Sequence, residues 1–177
     1  KVSKEIKKKP QLELNPNVSV DCVIFGFDFD KLNVLVINRS EKEGIQWALP
    51  GNLIYDAEHL DEAANRVLEE LTGLKKIYLE QIGAFGDPNR ISKESDRSWL
   101  QSIRAQPEAR VITVAYFSLV KMEDYQPQPS SFATSAEWIP VNEIRELAFD
   151  HFDILQTAKS RLKQMIKIRP IGFNLLP

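Results

Sequence analysis

The hydrophobic and polar positions along the chain predict strands that alternate with helices. The apolar run VSVDCVIFGF, residues 18–27, is rich in β-branched and aromatic residues, and LNVLVINR, residues 32–39, follows it after a short polar turn. These two runs predict a hairpin. Shorter runs predict further strands at WALPGN, YLEQIGAFG, ARVITVAYFSLV and AEWIPVNEI, and PGNLIYDAE is predicted to be a loop.

Two other segments repeat their apolar residues with the period of a helix. The first segment runs from Leu60 to Leu71, and Gly73, just after it, is placed as its C-terminal cap. Its apolar positions are Leu60, Ala64, Val67, Leu68 and Leu71. The second segment is DHFDILQTAKSRLKQMI, residues 150–166, with an apolar face made of Ile154, Ala158, Leu162 and Met165. The pattern as a whole predicts an α+β fold in which helices pack against a mixed β-sheet.

Composition limits the possible classes of protein. A chain of 177 residues with 43% hydrophobic residues can bury one sizeable core. The formal net charge of −2 argues against a basic nucleic-acid surface that covers the whole domain. The single cysteine, Cys22, excludes an internal disulfide, and no Cys/His set has zinc-ligand spacing. These features favour a reducing, cytoplasmic compartment.

The two ends of the chain differ in character from its centre. Residues 1–17 are basic and then punctuated by proline, which predicts an N-terminal arm, and residues 18–177 are predicted to form one domain. No apolar stretch approaches the roughly 20 residues that a membrane helix needs, so no membrane partner is expected.

The stretch LPGNLIYDAEHLDEAANRVLEELTGL, residues 49–74, resembles the Nudix box of pyrophosphate hydrolases. That box reads Gly, five residues, Glu, seven residues, then Arg-Glu-apolar-any-Glu-Glu-any-Gly-apolar. Here Asn52 stands in the Gly position, and Val67 and Leu71 replace two glutamates of the helix. The matching positions are Glu58, Arg66, Leu68, Glu70, Gly73 and Leu74.

The resemblance covers nearly the whole chain from Val18 onward. FGDPNR…ARVITVAYF is similar to the ADP-ribose-handling branch of the Nudix superfamily, with residues 91–109 as an insertion. The tail LAFDHFDILQTAKSRLK…RPIGFNLLP resembles Nudix-related transcriptional regulators of the NrtR and AraR type. The resemblance implies the Nudix fold, a mixed β-sheet sandwiched between α-helices. It also implies a winged-helix domain beyond residue 177, through which operator DNA would be bound, and a homodimer.

The replaced glutamates bear directly on catalysis. In the family's enzymes, carboxylates at the positions of Val67, Glu70 and Leu71 share one helix face and hold the divalent metals that activate water. Here two of those positions join the apolar stripe of the helix. Glu70 is left as a residual catalytic candidate, and Glu70 and Glu58 are weak metal candidates. We therefore expect no cofactor, with magnesium implied only if the chain is an enzyme.

Several side chains are candidates for ligand binding. Arg39, Arg90 and Arg110 begin or end strands beside the expected cleft, and guanidinium groups suit diphosphate oxygens. Trp47 and Phe85 are candidates to line a face for the base or sugar, and Gly51, in a tight loop, is a further ligand-binding candidate. Other residues have structural explanations. We expect an Arg66–Glu58 ion pair, helix capping by Asp150 ahead of His151, and coverage of the core by Trp99, Leu100 and Ile103.

Two functions remain open from the sequence. The first is a domain that senses ADP-ribose or a related phosphorylated sugar or nucleotide for a bacterial transcription regulator, without efficient hydrolysis. The second is a Nudix pyrophosphohydrolase of the ADP-ribose pyrophosphatase kind with a divergent metal site, which borrows a carboxylate from Asp87, Glu94 or Asp96.

Overall fold

A computed structural model of the chain describes residues 12–39, 47–128, 133 and 135–168. Ten strands and helices build the main architecture. The strands are β1 (Leu14–Phe27), β2 (Leu32–Asn38), β3 (Trp47–Ala48), β4 (Gly51–Tyr55), β5 (Glu80–Phe85), β6 (Ile112–Lys121) and β7 (Ser135–Pro140). The helices are α1 (Leu60–Thr72), α2 (Glu94–Ile103) and α3 (His151–Ile168), with a 3-10 turn at Met122–Asp124.

One mixed sheet contains all seven strands. Its main order is β3-β2-β1-β6-β5, while β4 also pairs with β1 and β7 pairs with β2. The central strand β1 runs parallel to β6 and antiparallel to β2 and β4. It begins at Leu14, four residues before the expected boundary of the arm at Val18, because Leu14 pairs with Tyr55 of β4. The predicted loop over PGNLIYDAE is partly wrong for the same reason, since Gly51–Tyr55 is a strand.

Helices cover both faces of this sheet. Because successive side chains of a strand point to opposite faces, Val20, Cys22 and Ile24 face α1 whereas Val23 and Phe25 face α3. The result is the predicted mixed sheet between helices. Among the described residues, no helix is both long and apolar enough to cross a membrane.

The helix α1 ends where the sequence predicts. Its N-cap is His59, which forms a reciprocal capping box with Glu62. Its C-cap is Gly73, in the left-handed conformation with φ of 76° that favours glycine. Val67 and Leu71 are 0% and 1% exposed and lie in the core between α1 and the sheet.

The segment 91–109, between β5 and β6, contains the helix α2. The predicted helical spacing of Trp99, Leu100 and Ile103 is confirmed, since all three lie on α2. Leu100 is fully buried, Trp99 is half-buried, and Ile103 is 37% exposed. The helix α2 therefore buries the side that carries Leu100 and exposes the side that carries Ile103.

Candidate ligand-binding site

A buried carboxylate organises the face of the sheet that α3 covers. Asp21, on β1, is 4% exposed. Its Oδ2 accepts a hydrogen bond of 2.6 Å from the Thr113 hydroxyl and lies 3.5 Å from Nη2 of Arg90. Its Oδ1 lies 3.3 Å from Nε2 of His151. A hydroxyl, an imidazole and a guanidinium thus surround one carboxylate.

The hydrogen bonds of His151 define its role. Its Nδ1 accepts a bond of 2.9 Å from the Leu49 backbone N–H, so the ring hydrogen is on Nε2 and points to Asp21. Burial by itself raises the pKa of Asp21, but His151, Arg90 and Thr113 outweigh that effect and hold the pKa well below its ordinary value. The arrangement ties α3 and the residue that follows β3 to β1, and it keeps Asp21 ionised.

Arg90 connects this network to the start of α3. Its Nε and Nη2 donate bonds of 2.9 and 2.8 Å to the two carboxylate oxygens of Asp150. Asp150 precedes α3 at the predicted N-cap position, and its backbone carbonyl accepts from the N–H of Asp153. Its carboxylate accepts its hydrogen bonds from Arg90, so the contact with α3 is made by the backbone carbonyl of Asp150.

Gly51 faces Asp21 across the β1–β4 pair. A Cβ atom on residue 51 would overlap with Oδ1 of Asp21, so only glycine allows β4 to approach this closely. The tight path that the sequence predicts at Gly51 is explained by this contact.

A second buried cluster attaches α2 to the rest of the protein. Arg39, at the end of β2, donates from Nη1 to Oδ1 of Asp96 at 2.8 Å, and both side chains are almost fully buried. The guanidinium lies 5.0 and 5.1 Å from the ring centroids of Trp99 and Phe149. The other Asp96 oxygen accepts from the Phe149 backbone N–H at 2.8 Å, and Phe149 has a positive φ of 55°.

The two clusters enclose a small cavity under the segment 91–109. Asp21, Gly51, Arg90, Arg104 and His151 are among the residues that line it. Its volume is about 30 Å³, which is room for about two water molecules. Two larger clefts of about 320 and 300 Å³ flank Arg90 on the surface.

Two carboxylates of the box remain, Glu70 on α1 and Glu58 in the turn before it, and both residues are half-buried. Arg66 donates to Glu58 at 2.6 and 2.8 Å and to Glu70 at 3.0 Å, which confirms the predicted Arg66–Glu58 pair. Burial raises the pKa of Glu58, but the bonds from Arg66 lower it overall. Both carboxylates are thus engaged by one guanidinium. Within the described part of the chain, no group of three or more His, Cys, Asp or Glu residues is placed to hold a metal. These residues do not fit a multi-metal centre.

The predicted ligand-binding residues lie in several places around this region. Arg90 is central, and it shares the 320 Å³ cleft with Arg110 and the 300 Å³ cleft with Phe85. Arg110 is exposed and donates to the Gly86 carbonyl at 3.1 Å. Arg39 is engaged by Asp96 on α2. Trp47 is half-buried and packs on the core beside α3.

Some residues of this region were not among the predicted site residues. Asp21 and Thr113 form the network, and Arg104 lines the cavity. A single Asp inside the apolar run VSVDCVIFGF was a usable signal, because a charge inside a buried strand needs partners. Nothing in the local sequence distinguishes Arg104 from the exposed residues around it.

Comparison with known proteins identifies similar chains. The chain is 32% identical over 168 residues, 92% of its length, to the ADPR responsive transcriptional repressor NtrR of Acinetobacter baylyi, and spans 61% of that protein. It is 26% identical over 157 residues to the ADP-ribose pyrophosphatase of Methanocaldococcus jannaschii, which covers 88% of this chain and 80% of that enzyme.

A solved structure extends the similarity to the fold. The NUDIX domain of Shewanella oneidensis NrtR, crystallised with ADP ribose, superposes with a TM-score of 0.65 at 27% identity. The match covers 88% of this chain and 94% of that domain. The NUDIX domain family itself matches residues 15–158, well over half of the sequence. This chain therefore belongs to the NUDIX family.

Proposed function

We propose that this chain is the ligand-sensing NUDIX domain of a transcription regulator. In this proposal it binds ADP-ribose, or a related phosphorylated sugar or nucleotide, without hydrolysing it efficiently. The observation that carries the proposal is the burial of Val67 and Leu71 in the core, at positions where the Nudix box has glutamates. A metal-dependent hydrolase needs carboxylates there, and a sensor does not.

The similar proteins support both the ligand and the regulatory role. The Acinetobacter repressor is described as ADPR responsive, and the Shewanella domain was crystallised with ADP ribose. Shewanella oneidensis NrtR has also been crystallised in complex with a 27mer DNA. In our proposal operator DNA is bound only through a domain outside this sequence. A cytoplasmic homodimer completes the proposal, because a two-fold operator is read by two copies.

The two surface clefts beside Arg90 are the proposed ligand site. Their volumes of about 320 and 300 Å³ lie at the lower end of the range for small-molecule pockets. Arg90 and Arg110 would contact the diphosphate, and Phe85 would line the face for the base or sugar. Trp47 and Arg39 would support the site without contacting the ligand. Trp47 would do so by packing on the core, and Arg39 by binding Asp96 of α2.

Paired assays test this proposal. Calorimetry with ADP-ribose in the presence of a chelator should show binding. An assay of AMP release with magnesium or manganese should show turnover far below about 1 per second, a low rate for an enzyme. Binding that disappears with the chelator, or turnover at ordinary enzymatic rates, would contradict the proposal.

The hydrolase remains a second candidate because of one observation. The Methanocaldococcus ADP-ribose pyrophosphatase is similar over 88% of this chain. A divergent metal site would need carboxylates from outside α1. Asp96 is engaged by Arg39 and the Phe149 N–H, which leaves the exposed Asp87 and Glu94. Loss of metal-dependent AMP release in Asp87→Asn or Glu94→Gln would favour this function.

A further inference from the structure

Three arginines lie against the cavity or the clusters that enclose it, and they differ in their partners. Arg39 has the Asp96 carboxylate at 2.8 Å, and Arg90 has both oxygens of Asp150 at 2.9 and 2.8 Å. Arg104 lines the cavity but has no carboxylate partner and no side-chain hydrogen bond among the described residues. Its backbone N–H ends α2 by donating to the Leu100 carbonyl at 2.9 Å.

The side chain of Arg104 is half-buried and forms no ion pair with any of the residues that the structure describes. Its Nε is buried without an acceptor among the described residues. Burial lowers the pKa of Arg104 to about 10, with an opposing effect from Asp21 and a further lowering by Arg90. The group is therefore still protonated at neutral pH. A buried donor without an acceptor is uncommon in native proteins and needs an explanation.

Asp21 is the carboxylate that attracts Arg104, but its oxygens are already occupied. Oδ2 accepts from Thr113 and faces Arg90, and Oδ1 faces His151. Arg104 and Arg90 interact repulsively, so each feels the positive charge of the other. An anion brought between them would be attracted by both. Ser19 and Asn52 add a hydroxyl and an amide to the cavity wall.

We infer that Arg104 is an anion-contact residue, supplied by the segment 91–109, that binds a phosphate group of the ligand. This inference rests on the proposed function, since it assigns a further contact for the same phosphorylated ligand. The planar guanidinium matches two phosphate oxygens at once, which a lysine does not. The cavity of about 30 Å³ is too small for a phosphate group, so the segment moves outward when the ligand enters.

The test is calorimetry of this chain with ADP-ribose in chelator. Arg104→Ala is expected to weaken binding about ten- to a hundredfold, the loss typical of a charged hydrogen bond. Arg104→Lys should fall between the wild type and Arg104→Ala, because it keeps the charge but not the planar geometry. The matched control is Arg145→Ala, which removes one exposed positive charge outside the cavity and should bind like the wild type.

Thermal unfolding without ligand separates this role from a structural one. Because Arg104 is half-buried and its buried Nε has no acceptor among the described residues, the Tm of Arg104→Ala should be equal to or above that of the wild type. Arg39→Ala should lower the Tm by several degrees, because it leaves Asp96 buried without its partner. A fall in Arg104→Ala as large as that in Arg39→Ala would overturn the inference.

Inorganic pyrophosphate, as a second anion, distinguishes failure of this inference from failure of the proposed function. If the wild type binds ADP-ribose and Arg104→Ala binds it equally well, the inference is wrong and the proposed function stands. If the wild type does not bind ADP-ribose, the proposed function fails for that ligand, and inorganic pyrophosphate then tests Arg104 alone. Pyrophosphate binding that weakens at least tenfold in Arg104→Ala supports the inference. Equal binding, or no binding of pyrophosphate by the wild type, overturns it.

Discussion

The two faces of β1 bury their side chains by different means. Towards α1 the strand presents Val20, Cys22 and Ile24 to an entirely apolar layer that includes Val67 and Leu71. Towards α3 it presents Asp21, whose charge is held by hydrogen bonds and by Arg90. One strand thus carries a face without a buried carboxylate and a face on which Val23 and Phe25 are joined by a buried carboxylate, and only the second depends on protonation.

This difference teaches where a ligand can act on the protein. Apolar burial is non-directional, and a small polar molecule has little to bind there. A buried charged network has specific partners, and an added anion changes the balance among them. In this chain the helix face at Val67 and Leu71, where the Nudix box has glutamates, lies in the apolar core. The face with the charges lies beside the cavity and the two clefts.

The largest expected effect comes from putting a charge into the apolar face. Leu71→Glu restores a glutamate of the Nudix box but buries its carboxylate without a partner. We expect the free energy of unfolding to fall by about 3 kcal/mol or more, measured by urea denaturation. Asn65→Glu, on the exposed side of the same helix, should change it by less than about 0.5 kcal/mol. A stable Leu71→Glu protein that binds magnesium would show that this face still holds a metal site.

An intermediate effect is expected on the polar face, and it depends on pH. Because the pKa of folded Asp21 lies below its ordinary value of 3.8, its contribution to stability is present above that pH and is lost as the pH falls towards the folded pKa. We expect Asp21→Asn to cost about 2 kcal/mol at pH 7 and progressively less below about pH 4. Denaturation at a series of pH values measures this.

The control for that profile is an exposed carboxylate. Asp124→Asn changes the net charge by the same amount, but its side chain lies on the surface. It should leave the stability nearly unchanged at every pH. A stability difference between Asp21→Asn and the wild type that stays constant from pH 7 to pH 2 would contradict the assignment of Asp21 as the pH-dependent group.

The smallest effect is expected at the rim of the cleft. Arg110 is exposed, and solvent weakens the contribution of an exposed charge. We expect Arg110→Ala to weaken ADP-ribose binding about fivefold, a change of about 1 kcal/mol, with no change in stability. Calorimetry of Arg110→Ala and Arg104→Ala under the same conditions compares the contribution of the cleft rim to ADP-ribose affinity with that of the cavity. A larger loss in Arg110→Ala than in Arg104→Ala would place the main phosphate contact at the rim.

The sequence predicted the parts of this structure that depend on local pattern. The period of α1, its Gly73 cap, the α3 face and the Arg66–Glu58 pair all follow from spacings of a few residues. The network around Asp21 did not follow from local pattern, because its members come from β1, the loop after β5, β6 and α3. Only tertiary packing brings them together. The β4 strand was missed for a related reason, since its partner is the long N-terminal half of β1.

Because Gly51 closely approaches Asp21, the residue that is tolerated at position 51 depends on the residue at position 21. While Asp21 is present, Gly51→Ala places a methyl group on a carboxylate oxygen and is strongly unfavourable. With a smaller residue at position 21 that obstacle is gone, although the Val20 carbonyl still lies 3.0 Å from the added carbon. The penalties of the two substitutions should therefore not add. We expect Gly51→Ala to cost less stability in a protein that already carries Asp21→Ala than in the wild type.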